Sequence, residues 1–393
     1  MLPLPLYLLA LAVFAMGTSE FMLAGLVPDI AADLGVTVGT AGTLTSAFAV
    51  GMVVGAPLMA VLGRGLPPRS SLLGCVLVFL AAHAAGAVAS DFAFLFATRV
   101  VAALANAGFL AVALTTAATL VPADRKGRAL AVLLSGTTVA TIAGVPGGSL
   151  LGALLGWRAT FWSVAALCLP AALGILTGIP KRPARQDAAD APPPLRTELA
   201  RLRDPGLLPV MLLGALVNAA TFASFTFLAP VVTGTAGLGE LWVPVALVLF
   251  GAGSFAGVTV AGRLADRCPG SVAAVTGPLL LLGWPALAVL AHRPVALLPL
   301  VFVQGTLSFA LGATLITRVL YAASGAPAMA GSYATAAFNA GAAAGPFLAG
   351  ATLGTAAGEL GPLWVSAGLV AVALAVGVRT RAALAGTPER RLR

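Results

Sequence analysis

The chain has 393 residues, of which 60% are apolar and only 9% charged, and its mean hydropathy is +1.03. Soluble domains carry charge on roughly a quarter of their residues, so a water-soluble globular protein is excluded. What remains is a chain built from segments of about 20 apolar residues that cross a bilayer. The net charge of +9 would suggest a nucleic-acid partner in a soluble protein, and its meaning here depends on where the basic residues fall.

Hydropathy and breaker residues predict twelve spans, over residues 5–27, 40–62, 71–90, 92–119, 128–154, 160–179, 206–231, 241–262, 271–291, 295–317, 328–352 and 361–378. The first lacks a basic leader, and its apolar run is longer than that of a signal peptide, so it is read as a retained span. All but three of the 22 basic residues fall on one side of this map; Arg158 and Arg293 lie on the other and Arg99 lies inside span 4. The positive-inside rule then puts both termini and the longest loop in the cytoplasm. The charge therefore records topology, and no nucleic-acid partner is expected. Cys75, Cys168 and Cys268 show neither a disulfide framework nor metal-ligand spacing, and no cofactor or metal is expected.

The polar stretch 180–205 holds three consecutive prolines, Pro192 to Pro194, and mixed charge. It reads as a cytoplasmic linker between a first six-helix half, 1–179, and a second, 206–393. A shift of 202 positions superposes Phe48, Gly51, Gly55 and Leu62 of span 2 on Phe250, Gly253, Gly257 and Leu264 of span 8. The Gly-x-x-x-Gly spacing has a physical reason, since small residues let backbones approach. The expected fold is all-α and polytopic: twelve transmembrane helices in two pseudo-symmetric six-helix halves, a plan in which substrate binds near the midplane between the halves.

Two ionisable residues lie well inside the membrane, Glu20 in span 1 and Arg99 in span 4. At a 1.5 Å rise per residue both fall about 6–9 Å from the midplane on the same side. Intramembrane charge is costly enough to mark function by default. Desolvation favours the neutral acid and a nearby guanidinium the carboxylate, so Glu20 is a candidate proton carrier with Arg99 as its partner. A static buried ion pair joining spans 1 and 4 is the alternative reading.

Neutral polar groups sit at comparable depth. Asn106 follows Arg99 on its helical face, and Asn218, Phe222 and Phe225 share a face of span 7 at i, i+4, i+7. Gln304 and Ser308 in span 10 and Asn339 in span 11 lie near the span centres. Apolar and aromatic walls with a few convergent polar groups suit a small neutral ligand, while interhelical hydrogen bonding is the competing role for these polar residues. Gly144, Gly148, Gly152 and Gly156 recur every four residues around Pro146, and span 11 has Gly341, Gly345, Pro346 and Gly350. These are surfaces for sliding or bending, or for tight static packing. Asp29 and Asp33, just beyond span 1, are expected to be solvated, and His83 and His292 are isolated in the sequence.

Several motifs carry a family resemblance. The run Gly262-Arg263-Leu264-Ala265-Asp266-Arg267 resembles the loop signature of the major facilitator superfamily in its second-half copy, Arg99 matches its intramembrane arginine, and Gly136, Gly144, Pro146, Gly148 and Gly152 resemble the glycine-proline motif of its antiporter branch. The stretches 17–33, 103–128, 144–162 and 322–346 are similar to actinobacterial chloramphenicol exporters of that superfamily. The chain departs from the pattern at Arg64, where the first-half signature has aspartate, at Ala102 and Ala103 in span 4, and at Val145. The resemblance implies a bacterial cytoplasmic-membrane antiporter, working as a monomer in lipid, that exports phenicol drugs against protons. It also implies gating roles for Arg263, Asp266 and Arg267. Export of another neutral metabolite or sugar, or of many drugs, is the nearest alternative. A membrane enzyme is disfavoured because no His-Glu-x-x-His, Gly-x-Ser-x-Gly or ligand cluster occurs. A channel is disfavoured by the lone Glu/Arg pair between repeated halves.

Overall fold

A computed structural model describes residues 3–62, 67–122, 125–179, 202, 204, 206–265, 269–323 and 329–385. Most of the stretch 180–205 expected to link the halves, together with Arg64, Asp266 and Arg267, lies outside the described residues. Twelve long helices follow the expected spans. In the first half these are α1 Leu4–Phe21, α2 Val38–Leu62, α3 Pro68–Ala87, α4 Phe92–Thr119, α5 in two segments Lys126–Val139 and Val145–Leu155, and α6 Trp157–Gly178. In the second they are α7 Leu207–Thr226, α8 Trp242–Ala265, α9 Pro269–Leu290, α10 Pro294–Ala322, α11 Ala330–Gly350 and α12 Gly361–Ala385. Eleven are long and apolar enough to cross a membrane. The other, α11, has 21 residues, enough to span, but Ser332, Tyr333, Asn339 and Pro346 dilute its hydropathy.

Local chemistry explains the boundaries. Asp91 caps α4 by accepting a hydrogen bond from the Phe94 amide at 2.8 Å, satisfying one of the unpaired donors of the first turn. Where α1 is expected to reach residue 27, it ends at Phe21, passes through a 3-10 turn Met22–Gly25 and resumes as a short helix Val27–Asp33 with Pro28 in its first turn. In α5 a π-helical turn, Ala140–Gly144, closes with the Val145 amide donating to the Ala140 carbonyl. Pro146 follows at once; the wider turn absorbs the missing N–H that would break an α-helical ladder. At Gly156, between α5 and α6, φ is +84°, which a glycine adopts without strain.

Helices approach through glycines in the same way in both halves. A Cβ added at Gly51 or Gly55 of α2 would lie 2.6 Å from the Ala103 and 2.9 Å from the Ala107 methyl of α4. The matching Gly253 and Gly257 of α8 abut the Phe302 and Thr306 carbonyls of α10. A second pair recurs: Gly136 and Gly144 of α5 meet Ala10 and Thr18 of α1, while Gly341 and Gly345 of α11 meet the Ala215 and Ala219 carbonyls of α7. Gly148 rests against Thr160 of α6, and Gly152 against Leu26. The glycine stripes thus back helices within each half.

The halves meet along α2–α11 and α5–α8. Ser46 donates to the Ala343 carbonyl at 2.6 Å, Gly39 meets Gly350, and Gly251 faces the Thr141 carbonyl. Each half has its own apolar core, with Phe227 and Ala349 reaching into the first and Ala24 and Val145 into the second. Large apolar side chains such as Leu155, Leu282 and Phe347 remain on the outside, as a lipid-facing surface requires.

At the end of the bundle away from the termini, Asp33 is not merely solvated as expected. It is paired with Arg158 and accepts from the Trp157 indole at 3.1 Å, while Arg158 also donates to the Ala89 carbonyl at 2.9 Å. The turn at Gly156 points α6 so that its first two residues meet the short helix after α1. The hydrogen bond from Arg158 holds the Asp33 carboxyl below the usual carboxylate range. The Asp29 carboxyl is pushed up, by desolvation first and by Glu240 of the other half second.

Two outcomes follow from this packing. Gly253→Ala should destabilise the detergent-solubilised protein by about 1–3 kcal/mol through overpacking, whereas Gly74→Ala, with open space around the new methyl, should be neutral or slightly stabilising; thermal unfolding measures both. Because the Asp33 pKa is depressed, its contribution is present above the unfolded carboxylate value, about 3.9, and is lost as pH falls through the folded one. Asp33→Asn should therefore flatten the melting temperature at the acid end of a pH series; an unchanged profile would show that the pair does not contribute.

Candidate functional site

Arg99 is 1% exposed near the N-terminal end of α4, and its charge is met from α1 and α2, with α3 behind. One Nη donates to the Ser19 hydroxyl at 2.7 Å and the other to the Ser19 carbonyl at 2.8 Å. The guanidinium lies 4.6 Å from the Phe48 ring centroid of α2, an attractive cation–π placement. Ser19 falls in the last turn of α1, where carbonyls run out of helical partners and the helix dipole favours a cation. The Ser19 hydroxyl is also 2.7 Å from His83 Nε2 of α3, and His83 Nδ1 is 2.8 Å from the Phe79 carbonyl. Ser19 and His83 are both buried.

Glu20 is half-buried and does not pair with Arg99: no ion pair within 4.0 Å joins them, and the guanidinium is committed to the residue before it. The two charges still act on each other through space. The direct pair anticipated from the matching depths is therefore replaced, in this conformation, by a serine-bridged arrangement.

Next to Glu20, Phe21 begins an aromatic cluster that crosses between the halves. Its ring stacks on Phe222 of α7 at 5.6 Å between centroids and meets Phe225 edge-on at 6.3 Å. Phe225 continues to Phe250 of α8 at 4.8 Å, and Phe250 to Phe309 of α10 at 6.1 Å. Together with Thr141, Val145, Thr221, Gly251 and Ser254, these rings line a space of about 10 Å³, room for about one water. The halves must separate before a drug-sized molecule fits.

The sequence-derived candidates divide. Phe222 and Phe225 line this central space. Asn218 turns away and donates to the Phe338 carbonyl of α11 at 2.7 Å, and Asn339 donates to Thr335 within its own helix at 3.0 Å. Asn106 is buried with its Oδ1 unpartnered, and the Ser308 hydroxyl is likewise buried and unpartnered. Gln304 borders a second space of about 10 Å³ with Ser224, Trp284, Phe225 and Phe250. There both Gln304 amide atoms and the Trp284 indole nitrogen lack partners, and glycine at 283 leaves room for the amide head. Phe225 and Phe250 form the wall common to both spaces. Gly144, Pro146, Gly148, Gly152, Gly345 and Pro346 are buried packing positions, and Arg263 is exposed at the end of α8.

The sequence alone assigns no site role to Ser19, Phe21, Phe48, His83, Phe250 or Phe309: Phe48 and Phe250 stand out only as repeat-related positions, and His83 only as an isolated histidine. Among the described residues no three His, Cys, Asp or Glu side chains come together as a metal site. The arrangement offers a carboxylate, a fixed guanidinium and an aromatic enclosure between two half-bundles.

Comparison with known proteins gives this arrangement a setting. The chain is 77% identical over 375 residues, 95% of each protein, to the chloramphenicol resistance protein of Streptomyces lividans. It is 34% identical over 356 residues, 90% of each, to the inner membrane transport protein YdhP of Escherichia coli. Among solved structures, a bacterial homologue of the human lysosomal transporter Spinster superposes with a TM-score of 0.73 at 15% identity, covering 95% of this chain and 94% of that one. Residues 9–334 match the family model described as Major Facilitator Superfamily; with that match and two related half-bundles, the chain belongs to that superfamily of membrane transporters.

Proposed function

We propose that the protein exports chloramphenicol-like antibiotics across the bacterial cytoplasmic membrane in exchange for protons, by alternating access. The observation that carries the substrate is the 77% identity, over nearly the full length, to a protein named for chloramphenicol resistance. The central enclosure suits such a molecule, because aromatic rings and few charges favour a neutral, partly apolar ligand. The reading makes the end bearing the termini cytoplasmic, in keeping with the bias of basic residues, and treats the chain as a monomer in lipid. It is a transporter rather than an enzyme.

Glu20 is the proton carrier in this reading. It adjoins Phe21 in the enclosure's wall and is half-buried, so its protonation changes the charge beside the drug. In the outward-facing state the acidic exterior protonates it, favouring drug release, and proton loss to the cytoplasm resets the site. Exchanging one proton for a neutral drug draws about 2.3 kcal/mol per 100 mV of membrane potential and about 1.36 kcal/mol per pH unit.

Glu20→Gln should bind chloramphenicol but lose uphill, pH-driven export in sealed vesicles with a verified gradient; wild-type coupled export by this variant would refute the assignment. Phe222→Ala or Phe225→Ala should weaken chloramphenicol binding by roughly five- to tenfold, the scale of losing an aromatic contact worth about 1–1.5 kcal/mol. Equilibrium binding on detergent-purified protein, below the melting temperature of each variant, reads this out, and unchanged affinity in both variants would move the drug site elsewhere.

A further inference from the structure

The Arg99 network includes a buried histidine that the transport reading leaves unused. The Phe79 carbonyl can only accept, so His83 Nδ1 carries the ring proton. If Nε2 were protonated as well, the Ser19 oxygen would receive N–H groups from both His83 and Arg99, and two cations would share one dry site. The consistent assignment is a neutral ring whose Nε2 accepts the Ser19 hydroxyl proton. That donation fixes the serine rotor and turns the oxygen lone pairs toward Arg99. A serine in a helix otherwise bonds back to a carbonyl of its own preceding turn. The ring itself is held by Phe79, at 4.2 Å between centroids, and by Phe161 of α6, at 5.7 Å.

From this geometry we infer that His83 is a positioning residue for proton coupling: through Ser19 it holds the Arg99 guanidinium away from Glu20, leaving the carboxylate free to exchange its proton. The inference rests on the reading of Glu20 as proton carrier. Of the elements packed against α3, α4 brings Arg99. From α6 come Arg158, engaged with Asp33 and Ala89 at the far end, and Cys168, whose thiol bonds the Val164 carbonyl at 3.3 Å. The carboxylate next to the bridging serine is Glu20 itself. When the acceptor at His83 is lost, Ser19 turns back on its own helix and Arg99 loses one anchor. Glu20 is the anion within its electrostatic reach, and a direct pair would keep the carboxylate ionised.

The test is drug-driven proton movement and pH-driven chloramphenicol export in proteoliposomes across a pH series. His83→Leu keeps bulk but removes the acceptor; its export profile should move toward acid by roughly one pH unit, the low end of what a new charge neighbour does. Chloramphenicol affinity should be unchanged, since the aromatic wall is untouched. His83→Gln, which returns a carbonyl oxygen near the Nε2 position, should recover the wild-type profile. Ser19→Ala should reproduce the His83→Leu profile, and the double variant should be no worse than either, because both act through one bond. A wild-type profile in Ser19→Ala, additive defects in the double variant, or failure of His83→Gln to differ from His83→Leu would each overturn the positioning role. Ser19→Ala decides the matter if His83→Leu does not reach the membrane. Glu20→Gln is measured in parallel: retained coupling there removes the carrier reading itself, whereas loss of coupling there with a wild-type Ser19→Ala profile removes only the role of His83.

Discussion

A guanidinium inside an apolar bundle is costly unless its charge is answered locally, and Arg99 imposes that demand on the first half of the molecule. The answers come from different helices: a serine hydroxyl and carbonyl on α1 accept from the two Nη groups, a phenylalanine face on α2 meets the charge, and a histidine on α3 stands behind the serine, while Nε is buried without a partner. Four helices are thus bound to one buried charge, and the break in α1 after Phe21 lies two residues beyond the serine that receives it. Among the described residues no comparable fully buried charge lies in the second half. There the buried polar groups are neutral, and Ser224 and Ser366, 2.6 Å apart, join α7 to α12 without any desolvated ion. The pseudo-symmetry is one of backbone approach and not of chemistry: one half holds the charge, the other supplies most of the aromatic wall.

Backbone approach is what repeats. The α2–α4 and α8–α10 contacts use glycines 202 positions apart, and α5–α1 and α11–α7 are a second related pair. A methyl group at these sites meets a carbonyl oxygen, a neighbouring methyl or, at Gly144, the Thr18 hydroxyl. Each half is therefore a close-packed block, and the two are joined along α2–α11 and α5–α8 by close backbone approach, Gly39 to Gly350 and Gly251 to Thr141, with the Ser46 to Ala343 hydrogen bond beside them.

How much of this is legible in the sequence depends on the range of the interaction. Periodicity and hydropathy place all twelve helices, because crossing a bilayer is a constraint on each segment alone, but the expected ends at 27, 231, 317 and 378 differ from the observed Phe21, Thr226, Ala322 and Ala385. The α2/α8 glycines are legible because their spacing repeats. Glu20 and Arg99 stand out because charge is rare in such helices, but the Ser19 bridge is not legible: serine is unremarkable in an apolar helix, and its partners lie 64 and 80 positions away. For the same reason His83 reads as isolated. Asp33 reads as solvated because nothing local announces Arg158, 125 positions on. Asn218 and Phe222 share a helical face, yet a face about 100° wide serves both a neighbouring helix and an enclosure, and α11 claims the asparagine.

The rings of Phe225 and Phe250 separate the central space from the recess holding the Gln304 amide and the Trp284 indole N–H. A hydrogen-bonding group entering between the halves meets aromatic carbon first. Only a guest bulky enough to displace one of those rings reaches donors and an acceptor with no other partner. Shape would then be read before polarity: two ligands with the same functional groups would be told apart by girth, and the penalty for a missing amide or hydroxyl would fall on the larger of them alone.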